Sequence, residues 1–446
     1  MSITFRRAAR RALTFAAAAT LAAPAPAQPQ ISAAERPPLA LGEVYAQLAR
    51  RNPRVAAASA LADAARARVP GARRPPDPQL QLGLMNYALP GLAPMPLLGM
   101  SQLQLMQMLP LGGKLRSAGR AADAQAAATT ERASDVAWET RNAAAMAFYD
   151  LHASDAQLDV ARETLRLLQD VERTAQAMYR VGEGRQADVL RAQVAIARMA
   201  EDTLRMQAMR STMVARLNAL LDRDAALEPG RPVLPHFPDE LPARTVLDSL
   251  AAADRPMIRA GREAVRAADA SRQLARREIW PDLQVGVQYG QRGTEMGTER
   301  MGSLMLGATI PVFARDRQLR MREESAAMTR MANADLAAMR AETRGKLGEA
   351  YASLTRARSL ARLYRTTVLP QSEAAVASAL AAYRVGSVDF MTLLDGRMTV
   401  NEYRQQLHAL EADEGKAWAE LEMLTGRALF DPSRSSVAVA QTGGAR

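Results

Sequence analysis

Tyr179-Arg180-Val181-Gly182 recurs as Tyr383-Arg384-Val385-Gly386, 204 residues further along the chain. In each copy a long alanine-rich amphipathic stretch leads into the phrase and another leads out. One tetrapeptide could repeat by chance, but a duplicated unit must repeat its flanks in the same order. Asn52-Pro53 is answered by Arg255-Pro256, Pro76-Asp77 by Pro281-Asp282, Pro110 by Pro311 and Tyr149 by Tyr351, at offsets between 201 and 205 residues. The chain therefore reads as two copies of one structural unit, each reversing at its Tyr-Arg-Val-Gly turn.

Upstream of the first turn there is no proline between Pro110 and the turn, and none beyond it until Pro229. Lys114 to Val181 reads as one helix of 68 residues, about 100 Å long at 1.5 Å per residue. Its apolar seam steps by three and four through Leu158, Ala161, Leu165, Leu168, Ala175 and Tyr179, and the second copy answers with Leu347, Ala350, Leu354, Ala357, Ala361, Tyr364 and Val368. These are coiled-coil seams, with small residues that permit close approach. Pro370 has no counterpart in the first copy, so a kink is expected there. Leu41 to Ala72 reads as a helix with a local break at Asn52-Pro53, ended by Pro75-Pro76. Gln186 to Asp222 is a second helix, and together these two match the length of the long one, so they can stack end to end along it. The second post-turn helix runs to about Ala428.

Between the helices the period changes to two. Gln79-Leu80-Gln81-Leu82-Gly83-Leu84 and Gln102-Leu103-Gln104-Leu105 alternate strictly, with a Pro/Gly/Met-rich loop from Ala88 to Met100. In the second copy Leu283, Val285, Val287 and Tyr289 alternate with Gln284, Gly286, Gln288 and Gly290, and a partner strand runs from Gly302 to Ile310 after a polar loop, Gln291 to Arg300. Each copy thus contains one hairpin with a wet and a greasy face. The division expected is a leader over 1–27, a first repeat over 28–222, a proline-rich linker over 223–243 crossing the outside, a second repeat over 244–430, and a flexible tail over 431–446.

The leader sets the compartment. Arg6-Arg7 and Arg10-Arg11 precede an apolar run from Ala12 to Ala23, followed by Ala25-Pro26-Ala27, which is the order of a secretory signal peptide cleaved after Ala27. The run is too short to span a bilayer. The chain has no cysteine, which removes disulfides, thiolate metal sites and a Cys-linked lipid. Net charge is +11, falling to +7 without the four leader arginines. Basic residues are dispersed and no basic-aromatic block stands out, so nucleic acid is not an expected partner. His152, His236 and His408 have no metal-like spacing, and there is no phosphate loop or nucleophile elbow, so no enzymatic chemistry and no cofactor are expected. Met85, Met95, Met100, Met106 and Met108 cluster near the first hairpin, and Met296, Met301 and Met305 near the second. Thioethers suit soft ions such as copper(I) or silver; the blander reading is filler in the core or against lipid.

Two greasy hairpins cannot close a membrane barrel, since the smallest need about 8 strands. Three copies would supply twelve. An exported chain that forms a barrel at one end and a long helical body at the other implies an outer-membrane channel projecting into the periplasm. An exported coiled-coil scaffold without a pore is the alternative from another class, and it does not require greasy hairpins.

The duplicated hairpin and long-helix pattern, the run Gln107-Met108-Leu109-Pro110-Leu111-Gly112-Gly113-Lys114, and the paired Tyr-x-Val-Gly turns together resemble the TolC-like outer membrane efflux family, over roughly Leu39 to Leu429. The resemblance implies a mainly α protein with a small β part, assembling as a homotrimer. That trimer would form a 12-stranded barrel in outer-membrane lipid, continued by a periplasmic α-barrel. It implies a periplasmic adaptor and an inner-membrane pump as partners, the RND class being one candidate for the pump, with metal ions or small toxic molecules as cargo. A duct for type I protein secretion is the alternative within the family. Carried onto this sequence, the adaptor-docking tips are Tyr179, Val181, Gly182 and Glu183, and Tyr383, Val385, Gly386 and Ser387. The aperture positions are Asp188 and Asp395, with Thr392 where the family has a further acid. A helix-start acid is the competing reading of Asp188, whereas Asp395 lies too deep in its helix for that role. A Tyr-Arg-Asp latch would use Tyr383 and Asp188, but its arginine position is Val388.

Overall fold

In the computed structural model, which describes residues 37–433 except positions 89, 92, 96–98 and 296, the proline-free stretch is one helix of 67 residues. The elements in order are β1 (Leu39–Ala40), α1 (Leu41–Arg51), α2 (Pro53–Ala72), β2 (Gln79–Met85), β3 (Tyr87–Ala88), β4 (Ala93–Pro94), β5 (Met100–Pro110), α3 (Lys114–Arg180) and α4 (Gln186–Leu220). Then follow β6 (Pro232–Val233), α5 (Arg244–Asp254), α6 (Pro256–Arg277), β7 (Asp282–Thr294), β8 (Gly297–Thr309), α7 (Gln318–Leu363), a π turn (Tyr364–Val368), α8 (Leu369–Arg384) and α9 (Phe390–Thr425). The expected leader and positions 434–446 of the expected tail lie outside the described residues. No described helix is long and apolar enough to cross a membrane.

The Asn52-Pro53 break has a local cause. The Asn52 side chain accepts from the backbone N–H of Arg54 and Val55, and Pro53 occupies the first helical position, where no N–H is needed. Asn52 Nδ2 also donates to the carbonyl of Leu220, the last residue of α4, at 2.8 Å. So α2 and α4 meet end to end beside α3. Arg255-Pro256 repeats the break in the second copy, where the Arg255 guanidinium donates to Thr343 Oγ1 at 2.5 Å.

Four strands form one antiparallel sheet in the order β2-β5-β7-β8. Directly beneath it the helices follow the same order: α2 packs on α3, α3 on α6, and α6 on α7. At the far end α4 packs on α3, α3 on α9, and α9 on α8. The two copies are tied where helix becomes sheet. Lys114, 6% exposed at the start of α3, sets its amine 2.8 Å from Asp282 at the start of β7 and 3.4 Å from Glu278.

Midway along the rod the main core gathers Leu41, Val44, Phe148, Tyr149, Leu347 and Trp418. The proline-rich linker does more than cross the outside, because Phe237 stacks on Trp418 at 6.4 Å and meets the edge of Phe430 at 5.4 Å. Its Pro232-Val233 pair forms a parallel ladder with Leu39-Ala40, and His152 Nδ1 lies 3.0 Å from the Pro232 carbonyl. The expected tail also starts attached: Pro432 accepts from the Gly42 N–H at 3.3 Å.

One expectation changes. The polar loop Gln291 to Arg300 is instead the outer end of the β7–β8 ladder, which runs out to the pair Thr294 and Gly297, with Arg292 paired to Glu299 at 2.9 Å. Polar side chains on both faces erased the alternation that marks a strand. At Pro370, where an interruption was expected, the helix carries a π turn just before the proline, in which the Leu369 N–H reaches back to the Tyr364 carbonyl. Widening the turn is one way a helix absorbs a residue that lacks an N–H.

Candidate functional site

Both reversals at the far end rest on glycines with positive φ, Gly182 at +80° and Gly386 at +72°, a conformation that a Cβ disfavours. At the first, the N–H groups of Glu183 and Gly184 both reach the Met178 carbonyl, at 3.0 and 2.9 Å. At the second, Ser387 caps the Ala382 carbonyl with both its N–H and its hydroxyl, at 3.0 Å each. Val181 and Val385 project at 69% and 77% exposure. Apolar side chains held out on rigid turns suit a docking surface.

The identical tetrapeptides are not equivalent. Tyr179 is 48% exposed, whereas Tyr383 is 5% exposed and packs its ring edge-on against Phe390 at 5.8 Å. The cause lies outside the repeat, because the position corresponding to Phe390 is Gln186, which offers no ring. The Tyr383 hydroxyl is buried with no hydrogen-bond partner among the described residues. Its pKa is raised, first by burial and then by the nearby Asp188 carboxylate.

Asp188 stands in the first turn of α4, 3.8 Å from Arg191, so the helix-start reading describes its position. Asp395 lies with Arg191 and Arg198 in a groove of about 420 Å³ between α4 and α9, walled by Leu190, Val194 and Met398. Thr392 is exposed and does not line that groove. The structure therefore brings Asp188 near Tyr383 without a hydrogen bond between them, sets Asp395 in a groove with two arginines, and leaves Thr392 apart. Sequence reasoning missed Arg191 and Arg198, although their seven-residue spacing beside Leu190 and Val194 marks one stripe of a helix.

At the opposite end the sheet separates its two faces by register. Leu82 opposes Leu103, which opposes Tyr289; Leu105 opposes Val287, which opposes Leu304. On this face Leu80, Leu82, Val287, Leu304 and Leu306 are 58–73% exposed. The other face carries Gln81, Gln104 and Gln288 in one row and Met106, Gly286 and Met305 in the next. Met85, Met100, Met108 and Met301 share its parity, so these strand methionines lie opposite the leucines. Gly286 and Gly290 in β7 leave room on this face, over which Met305 and Met100 lie. Met296 lies outside the described residues. Among the described residues no group of three or more His, Asp or Glu side chains is placed to hold a metal ion.

Residues 44–223 and 247–427 match the family described as outer membrane efflux protein, one span in each half of the chain. No curated protein sequence matches significantly. Among solved structures the chain is similar to the transmembrane channel CusC (TM-score 0.76, 18% identity, 87% of this chain and 92% of that one). It is similar to the outer membrane protein VceC of Vibrio cholerae (0.74, 17%, 87% and 97%). A third likeness is to the outer membrane channel MtrE of Neisseria gonorrhoeae in its open state (0.74, 17%, 87% and 89%). At these identities the likeness is one of fold.

Proposed function

Because the chain belongs to the outer membrane efflux protein family, a family of channel proteins, we propose that it is the outer-membrane exit duct of a tripartite efflux system. Three copies close a ring in which twelve strands cross the outer membrane and the helices extend into the periplasm. The observation that carries this reading is the four-stranded sheet, which has one greasy and one glutamine-rich face and stands on helices in the same order, with β2 and β8 as unpaired edges. Open edges and an exposed apolar face are both resolved by closure within lipid. The face also speaks against a pore-free scaffold, which has no use for it.

The duct conducts passively, handing on metal ions or small toxic molecules delivered by an inner-membrane pump through a periplasmic adaptor. Val181 with Gly182 and Val385 with Gly386 form the tips on which adaptor hairpins seat. A deletion strain complemented with wild-type chain should regain resistance to metals or drugs and yield a trimer from detergent-extracted outer membranes. Gly386→Pro should still give the trimer but lose resistance. A soluble monomer would overturn the duct, unchanged resistance in the variant would overturn the tip, and lost protein secretion without sensitisation would make the chain a secretion duct.

Asp395 narrows the aperture, and its three copies are held in balance by the arginines beside them. Asp395→Ala leaves Arg191 and Arg198 in the groove without that carboxylate, so single-channel recordings should show weaker cation preference or a shift toward anions. Unchanged selectivity would return Asp395 to an ordinary solvated face.

A further inference from the structure

The greasy face of the sheet does not stop at its last rung. Leu109 opposes Leu283, which opposes Ala308, and one step nearer the helices the same parity continues into Leu111 and Ile310, both exposed. Beyond Ile310 the chain turns tightly: the Phe313 carbonyl accepts from the N–H groups of Asp316 and Arg317, at 3.2 and 3.1 Å. Ile310, Val312 and Phe313 stand out from this turn at 71–78% exposure. Trp280, 58% exposed just before β7, lies over Gly112, the residue after Leu111.

These residues sit at a defined height. Tyr289 on β7 is exposed too, nine residues beyond Trp280. An extended strand covers that separation in about 30 Å, and a barrel-strand tilt of about 35–45° shortens it to about 22–25 Å, close to the height of the apolar band of a membrane barrel. Trp and Tyr favour the two borders of such a band, where an amphipathic ring meets lipid on one side and water on the other. Trp280 and Phe313 mark the border on the helix side.

Three arginines stand at that border without partners. Arg276 in the last turn of α6, and Arg315 and Arg317 in the turn after Phe313, are exposed, and their side chains make no hydrogen bond or ion pair among the described residues. Arg322 donates to the Arg276 carbonyl at 2.8 Å, which sets the end of α6 beside the start of α7. The neighbouring acids do not neutralise the cluster: Glu278 and Asp282 face Lys114, and Asp316 offsets only one charge. The first copy has no counterpart. Leu111-Gly112-Gly113-Lys114 stands where the second has Val312-Phe313-Ala314-Arg315, and Lys114 is buried.

We propose that this collar binds the headgroup of an anionic phospholipid in the leaflet nearest the helices, with Arg276, Arg315 and Arg317 at its phosphate and Trp280 and Phe313 against the start of its acyl chains. The site rests on the barrel reading above and occurs once per chain. Guanidinium matches phosphate geometry, and the attraction of basic residues to anionic lipid is screened by salt. A zwitterionic headgroup carries its own cation beside the phosphate and gains less.

Trp280 supplies the probe, because Trp418 is buried and Trp138 lies about 36 Å along α3 from its sheet end. The protein extracted from outer membranes would be reconstituted in phosphatidylcholine vesicles carrying either brominated phosphatidylglycerol or brominated phosphatidylcholine. Both should quench the fluorescence that Trp280→Phe removes, with phosphatidylglycerol reaching half-effect at a mole fraction about fivefold lower or better. Arg315→Gln with Arg317→Gln should erase that preference, as should about 1 M salt. Arg300→Gln, at the outer end of β8, should leave it intact. Equal quenching of the wild type by the two lipids overturns the headgroup site and leaves the duct standing. Displacement by lipopolysaccharide without any preference for phosphatidylglycerol overturns it too, by giving the collar another occupant. No quenching in a trimer that floats with the vesicles would mean that lipid does not reach the collar, and a protein that does not insert overturns the duct as well.

Discussion

Leu304→Arg is expected to eliminate assembled oligomer from the outer membrane, whereas Ser303→Arg, one residue earlier on the same strand, is expected to leave it in place. The two positions differ only in face. Leu304 opposes Val287 on the leucine side, and Ser303 opposes Gln288 on the glutamine side. An arginine on the lipid side of a barrel strand costs about 2–4 kcal/mol near the bilayer midplane, and a symmetric ring incurs that cost in every copy. The same arginine on the inner side meets water. The fraction of chain that migrates as an oligomer from outer-membrane extracts measures the contrast. Equal loss in both variants would mean that the faces are not divided as the register divides them.

Trp418→Ala is expected to produce the largest loss of stability among core substitutions. Trp418 is fully buried, stacked on Phe237 and edge-on to Phe430 at 6.1 Å. It therefore joins α9, the linker and the segment after α9 in one cluster. Truncating a buried aromatic to alanine costs about 3–5 kcal/mol through lost burial and the cavity left behind. Trp418→Phe should lose much less, because the indole Nε1 is buried without a partner among the described residues and its removal breaks no hydrogen bond there. Thermal melts followed by helical circular dichroism should rank the three proteins wild type, Phe, Ala. An Ala variant melting with the wild type would show that the linker is not anchored there.

Much of the architecture was legible because the sequence changes period where the structure changes kind. The proline-free run became α3, Asn52-Pro53 became a helix junction, and the alternating glutamines and leucines became strands. Signals failed where they depend on contrast. Gln291 to Arg300 is polar on both faces, so nothing in its pattern separates strand from loop, and only the cross-strand pairing of Arg292 with Glu299 reveals the ladder. The two-residue strand Pro232-Val233 is too short to carry a period. At the candidate site, the tetrapeptide located both reversals but concealed their difference, which is set by Phe390 seven residues downstream of Tyr383. Asp395 was visible as an acid; the arginines facing it belong to another helix, and a linear pattern does not say which helices meet.

The unequal burial of Tyr179 and Tyr383 bears on symmetry. If the two copies had stayed identical, a closed ring of three chains would offer six interchangeable turns at its end, and a ligand could sit on any of them in either of two settings. Here one turn in each chain displays its phenol ring and the other withdraws it, so the end of such a ring would alternate and only a threefold pattern would remain. A partner that recognises the displayed ring would have three equivalent seats, and one that spans a displayed and a withdrawn turn would have a defined polarity around the ring. Duplication supplied the number of turns; Phe390 in place of a glutamine supplies the order in which they can be read.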